Sequence, residues 1–242
     1  MSLPAGLAPA PAAEVVALRV ADVRRRIRAT SPHPDRVRLV AVTKGFDQSA
    51  VTAALAAGVG DIGENYAAEL TAKAASLAED PAVGRDPQRR PRWHFLGAIQ
   101  RRRVRDLAPL VGCWQTLARR VEGEAIAGRA PGASVLVEVE LSGLAGRNGC
   151  PPGSVSELVR QLQALELEVG GLMVVAPPGG VDVARKAFRT TAEMAADLGL
   201  AELSMGMTGD FEVALEEGAT MVRMGQALFG SRPAKGRPAH PL

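Results

Sequence analysis

VRLVAVTKG, residues 37–45, is a nearly unbroken run of Val, Leu and Ala that ends in Thr43, Lys44 and Gly45. A run this apolar reads as a strand buried on both faces, as in a parallel sheet covered by helices. A helical stretch over 48–57 follows at once. A single ammonium is thereby set at the carboxyl end of a core strand, the end at which α/β proteins assemble their sites. Two readings of Lys44 compete. A lysine can snorkel from a strand end to water along apolar surface. A lysine in an apolar pocket loses basicity and condenses with aldehydes to a Schiff base.

Outward from this strand the chain alternates with little interruption. A helix over 14–29 precedes it. Strands are expected at 60–63, 93–97, 111–115, 134–141, 168–175, 201–206 and 220–225, and helices at 64–79, 100–108, 116–128, 154–165, 181–198, 210–217 and 226–229. Eight βα units behind one extra helix is the count of an α/β protein built as a (β/α)8 TIM barrel. A doubly wound open sheet is the alternative, with exposed edges and usually fewer strands. No Pro/Gly/Ser-rich linker divides the chain. One domain is expected over 13–231, between a disordered N-terminus (1–12) and a disordered tail (232–242) rich in Pro, Gly and Ala.

The 242 residues suffice for a sizeable core, and 47% hydrophobic with 23% charged is ordinary globular composition. Aromatics make up only 3%, so Ala, Val and Leu must fill the interior. The formal net charge is +3, with basic runs at 19–28 and 101–105. Neither run contains an aromatic to stack a base, and both read as solvated helix faces, so no nucleic-acid partner is expected. Cys113 and Cys150 stand far apart without ligand spacing, which argues against zinc and against a disulfide framework. No apolar run approaches the roughly 20 residues of a membrane span, and the first residues lack the pattern of a signal peptide. A reduced, cytoplasmic setting is expected.

In a barrel all strand ends open to one mouth. The residues just after the strands there are Lys44, then Gly63-Glu64-Asn65-Tyr66, then Ser204-Met205-Gly206-Met207-Thr208-Gly209, then Arg223-Met224-Gly225-Gln226. The loop SMGMTGD sets two hydroxyls and two glycines before a helix. Glycines let the backbone approach a phosphate, and helix-start N–H groups point at the anion. An ordinary N-cap explains Thr208-Gly209-Asp210 as well. Loops seven and eight are nevertheless the usual phosphate site of this barrel. A phosphate grip facing an aldehyde-binding lysine points to pyridoxal phosphate (PLP).

The segments VAVTKG, GENYAAEL, WHFLGAIQ, GLMVVAP and LSMGMTGDFEVALEEGATMVRMGQALFGSR resemble, in order and spacing, the YggS/PROSC family of PLP homeostasis proteins. These are similar to the N-terminal barrel domain of alanine racemase. The resemblance covers about residues 14–232. It implies that Lys44 holds PLP as a Schiff base, that Asn65 lies beside the cofactor, and that Ser204, Met205 and Thr208 belong to the loop near the phosphate. Gly225 and Gln226 match the residues whose backbone N–H groups complete the cradle. Arg223 resembles the arginine that meets the pyridine nitrogen. A guanidinium only donates, so it keeps that nitrogen unprotonated and weakens the cofactor as an electron sink. The chain departs from its relatives in Ala98–Arg103, in Val139–Ser142 with Arg147–Gly149, in Cys113–Gln115 and at Gln226.

The leading expectation is a non-catalytic, monomeric carrier or regulator in intracellular PLP homeostasis, with PLP and PLP-dependent apoenzymes as partners. A minimal amino-acid racemase is the alternative. It needs a second proton carrier, and only Tyr66 and His94 offer themselves, the first beside Asn65 in a helix and the second read as a core histidine. Glu64 is read as support for the helix start or for a neighbouring donor. A sugar-phosphate barrel enzyme would explain Lys44 and the phosphate loops without Arg223.

Overall fold

The computed structural model describes residues 6–80, 90–144 and 146–231. Helix α1 (Ala13–Thr30) leads in. Eight units follow: β1 (Arg38–Val42) and α2 (Gln48–Ala56), β2 (Asp61–Glu64) and α3 (Ala67–Glu79), β3 (Arg92–Phe95) and α4 (Arg101–Leu107), β4 (Val111–Leu117) and α5 (Arg120–Ala127). Then come β5 (Ser134–Val139) and α6 (Val155–Gln163), β6 (Glu168–Val174) and α7 (Val181–Asp197), β7 (Glu202–Ser204) and α8 (Phe211–Glu216), β8 (Met221–Met224) and α9 (Gln226–Phe229).

The strands close into a barrel in sequence order, every neighbour parallel, with β8 returning to β1. The closing register pairs Val40 with Arg223 and Ala41 with Met224. A closed sheet has no edges to protect, and the open-sheet alternative falls away. Two apolar layers hold it. The large one lies between strands and helices and includes Ile62, Leu117, Val137, Leu172, Val222 and Phe188. The small one fills the barrel interior with Val40, Cys113, Leu136, Met173 and Met221. Alternate residues of one strand serve the two layers, as Val137 and Leu136 do on β5.

Helix α1 explains one of the basic runs. Val16, Val20, Val23 and Ile27 form its buried stripe at helical spacing. It packs against α2 on one side and α8 and α9 on the other, bridging the seam where the barrel closes. Three of its arginines were expected to face solvent and instead reach across. The Arg19 guanidinium donates to Leu228 O (3.0 Å), that of Arg24 to the Ala57 and Gly58 carbonyls, and that of Arg26 to Glu212 (2.9 Å) while lying over the Phe211 ring. The arginines of α4, by contrast, are exposed.

Two further expectations change. The N-terminus was read as disordered to residue 12, but Ala8 is buried and pairs with Phe46. Backbone bonds Ala8 N–Gly45 O (3.2 Å) and Asp47 N–Ala8 O (2.7 Å) hold it there, and an extended segment with paired backbone groups needs no helix to be ordered. Helix α3 begins at Ala67, not at residue 64, because Glu64 still pairs with Phe95 in the sheet. Residues 1–5, most of the loop expected at 79–92, and the tail 232–242 lie outside the described residues. Among those described, no helix is long and apolar enough to cross a membrane, and no cluster of His, Cys, Asp or Glu is placed for a metal ion.

Candidate functional site

Lys44 is half-buried, one residue past Thr43 at the mouth of the barrel. Its neighbours on both flanks are fixed by register. On one side Val42 pairs with Gly63, which brings Asn65 alongside; on the other Ala41 pairs with Met224, which brings Gly225 and Gln226 alongside. The turn itself is tightly held. Thr43 N donates to Gly63 O, and Phe46 N to Thr43 O. Gly45 adopts φ +80°, a backbone state that a residue with a Cβ takes at a cost. Its N–H donates to Glu69 Oε2 at 2.8 Å, and the Phe46 ring packs 5.5 Å from Phe229 in α9.

Under this turn lies a buried charge cluster. Lys73 of α3 is fully buried, and its Nζ donates to the Thr43 carbonyl (2.9 Å) and to Glu64 Oε1. Glu69 stands 3.6 Å from the same nitrogen, and the Thr43 hydroxyl donates to Glu64 Oε1. Burial pushes the Glu64 carboxyl up, against the opposing pull of Lys73 and Thr43. Of the two readings of Glu64, the neighbouring donor holds and the helix start does not, since α3 begins three residues later. Lys73 and Glu69 escaped the sequence reading. Leu70, Lys73 and Leu77 share one buried face of α3, and that i, i+3, i+7 spacing was the available signal.

The last two loops meet. The Thr208 hydroxyl accepts from Ala227 N (3.1 Å), so loop seven touches the first turn of α9. Asp210 accepts from Met207 N (2.6 Å) and closes the loop. Gly206, at φ +91°, leaves no room for a side chain: a Cβ there would lie 2.7 Å from Ala214 Cβ. Gly225 sits close to Val42, with a Cβ position 3.3 Å from the Val42 carbonyl. Gln226 is exposed, and Met205 is buried with its N–H on the Met221 carbonyl.

Ser204 and Arg223 lie deeper, inside the barrel. Both are buried. Arg223 donates through Nη1 to Ser204 O (2.6 Å) and Ser204 Oγ (2.8 Å), and through Nη2 to Val174 O (2.8 Å). Burial brings its guanidinium down to about 10, resisted by Asp210 and Glu138, so it remains charged at neutral pH. The Ser204 hydroxyl is engaged with Arg223 and Gln115, whereas Thr208 is the hydroxyl in contact with α9. Glu138 of β5 points into the same interior, bonded by Asn148 Nδ2, and burial raises its carboxyl against Asn148 and Arg223. His94 is fully buried between Asp61 and Gln115. Tyr66 caps α3 and is half-exposed, outside the helix in which it was expected.

These features bear on whether the mouth fits PLP. Asn65 donates to Leu96 O (3.2 Å), yet its Oδ1 is buried without a partner, an arrangement that costs about 1–3 kcal/mol unless a donor arrives. Lys44, Asn65 and the loops after β7 and β8 all follow the carboxyl ends of their strands, at one end of the barrel, with Arg223 buried inside it. The donors among them, the lysine, the loop backbone and the arginine, are of the kind that suits an anionic, aromatic aldehyde, and Asn65 adds an acceptor.

The family described as alanine racemase, N-terminal domain, matches residues 19–233. A pyridoxal phosphate homeostasis protein of Pseudomonas aeruginosa is 38% identical over 231 residues, spanning 91% of this chain and 95% of its own. Another of the same name from Deinococcus radiodurans is 37% identical over 240 residues, spanning 95% and 100%. Among solved structures, PipY of Synechococcus elongatus with PLP bound superposes with a TM-score of 0.74 at 29% identity, over 89% of this chain and all of that one. By sequence along nearly its whole length and by its fold, the chain belongs to the YggS/PROSC family of pyridoxal phosphate homeostasis proteins, within the alanine racemase N-terminal domain family.

Proposed function

We propose that this chain is a PLP-binding protein of intracellular, cytoplasmic vitamin B6 homeostasis that holds the cofactor on Lys44 without turning over a substrate. What supports this reading is that Lys44, Asn65 and the loops after β7 and β8 lie at one end of the barrel, in a chain whose relatives bear the homeostasis name. Residues 13–231 act as one PLP-binding unit.

When bound, PLP supplies an aldehyde for a lysine amine and a phosphate for backbone donors. Each residue then has a task. Lys44 is the covalent anchor. Gly225, Gln226 and Thr208 hold the phosphate, with Met205 and Gly206 shaping the loop beneath it. Asn65 would stand beside the cofactor, with its unpartnered oxygen free to accept a hydrogen bond there. Arg223 presents a permanent donor to the ring nitrogen, which leaves that nitrogen no proton to acquire, and Ser204 holds Arg223. This electrostatic choice supports storage over carbanion chemistry. The placement of His94 supports it too, since both ring nitrogens are engaged inside the barrel and neither serves as a second proton carrier at the mouth. Release of PLP to apoenzymes by a monomer completes the proposal.

The test is the visible absorption spectrum of the purified protein and of Lys44→Ala, before and after borohydride. The expected outcome is a band that Lys44→Ala lacks and that reduction fixes to the chain. A colourless protein that takes up no added PLP would overturn the reading. Exchange of an amino acid's α-proton into deuterated solvent, lost in Lys44→Ala, would instead establish the racemase alternative.

A further inference from the structure

Five strands contribute to one continuous polar chain through the barrel interior. Arg223 (β8) donates to Ser204 Oγ (β7) at 2.8 Å, and Ser204 donates to Gln115 Oε1 (β4) at 2.6 Å. Gln115 Nε2 lies 2.7 Å from His94 Nδ1 (β3), and His94 Nε2 lies 2.7 Å from Asp61 Oδ1 (β2). Chemistry fixes its direction from both ends. A guanidinium has no acceptor, so Ser204 Oγ must accept from it and pass its own proton on. That places the carbonyl of Gln115 toward Ser204 and its amide N–H toward His94, whose Nδ1 therefore accepts. An ionised carboxylate only accepts, so His94 Nε2 carries the proton toward Asp61. Each member donates to the next, with a cation at one end and an anion at the other.

The two ends lie at opposite mouths. Arg223 is near the carboxyl ends of the strands, whereas Asp61 is the first residue of β2 and its side chain is 24% exposed. Asp61 is itself kept low: burial pushes its carboxyl up, but His94, Arg38 and Arg92 outweigh that. Around the chain lie the apolar Met221, Leu136 and Met173, with Glu138, bonded by Asn148, a charged group that faces Arg223, so each missing link would strand a buried polar atom.

We infer that Gln115 and His94 are positioning residues for Arg223: through Ser204, and anchored by Asp61, they fix the orientation of the guanidinium presented to the cofactor ring. This rests on the PLP reading above for what Arg223 meets, but not for the chain itself. Each of the four acts on Arg223 through the next. Reversing Gln115 would turn its N–H group toward Ser204, leave the serine proton without this acceptor, and demand a proton on His94 Nδ1. A neutral histidine protonated at Nε2 is thus the signature of the chain.

Two measurements test it. The first uses the cofactor-free protein: ¹⁵N resonances of the His94 ring and hydrogen exchange of the Arg223 guanidinium. The expected result is a neutral ring protonated at Nε2 at pH 7, and guanidinium exchange that accelerates in Gln115→Leu. The second uses PLP-loaded protein: the affinity for PLP and the pH midpoint of the visible band. One lost interior hydrogen bond is worth a factor of about two to ten, so Gln115→Leu should weaken PLP binding by that much and move the midpoint by about half a pH unit. Met173→Leu, an apolar change in the same interior, should move neither. Should Gln115→Leu fail to fold, Asp61→Asn at the far, partly exposed end carries the test with a smaller change in the same direction. A His94 ring that is charged or protonated at Nδ1 alone overturns the inference. So does a folded Gln115→Leu with wild-type exchange and midpoint. Wild-type protein that shows the chain by NMR but takes up no PLP overturns the cofactor reading, and with it the role toward the ring.

Discussion

Lys73 is the residue whose removal should tell most about the mouth. It is fully buried, ion-paired with Glu64 and bonded to the carbonyl of Thr43, the residue before Lys44. A buried pair adds little over an apolar pair of the same shape, but breaking one leaves an uncompensated charge at a cost of about 3–5 kcal/mol. Lys73→Met is therefore expected to lower unfolding stability in urea by that order at pH 8. The sign of its pH dependence follows from Glu64. Burial already pushes this carboxyl up from its ordinary 4.5, and without Lys73 the opposing pull shrinks. The folded variant then keeps a proton that the unfolded chain releases, so its stability is greatest below about pH 4.5 and falls as pH rises. Adding Glu64→Gln should flatten that slope and recover part of the loss. A Lys73→Met protein equally stable from pH 5 to pH 8 would refute the coupling.

The elements meet very closely where the turn after β3 passes Asn65. A Cβ on Gly97 would lie 1.9 Å from the Asn65 carbonyl oxygen, so backbone rather than a yielding side chain blocks it. Gly97→Ala should cost about 1–3 kcal/mol as an overpacked site does, and displace Asn65 from the mouth. Its PLP affinity is expected to fall further than that of an equally destabilised variant far from the mouth, by equilibrium titration in native buffer. Equal losses in the two would mean that Asn65 does not meet the cofactor.

At this same scale the sequence was legible where periodicity is strong. Apolar runs such as Val37–Val42 and Val135–Val139, the order of eight βα units and the glycines of SMGMTG all follow from pattern and turn chemistry. Boundaries were less so. Strand β2 runs on through Glu64 because its partner is a strand distant in sequence, and α3 starts three residues later than composition implies. Missed were Lys73, signalled only by its spacing with Leu70 and Leu77, and the role of Gln115; the burial of both polar residues depends on partners from other elements. Ser204 was grouped with its phosphate loop by adjacency, but its hydroxyl faces Arg223 and Gln115.

Over the whole molecule, the seam between β1 and β8 carries both the closure of the barrel and the proposed cofactor site. Helix α1 spans it outside, through its valine stripe and through Arg19 and Arg26. The segment before α1 then runs back to the Lys44 turn. Ala8 exchanges backbone bonds with Gly45 and Asp47, and Ala10 N donates to Ser49 Oγ at 2.8 Å. Little apolar area is buried there, since Ala8 is small, so this strap contributes modestly to global stability. What it restrains is local: the turn that aims Lys44. Removing residues 1–10 is expected to change unfolding stability by no more than about 1 kcal/mol, the order of one or two net hydrogen bonds. Exchange at the Asp47 amide should nevertheless accelerate about tenfold or more, because local opening no longer requires breaking those bonds. PLP should dissociate faster in the same protein, as a loosened turn orients the lysine less often. Unchanged protection at Asp47 would show that α2 and Phe46 hold the turn unaided. An equal loss of protection across β1 and β8 would place the strap in the closure of the barrel instead.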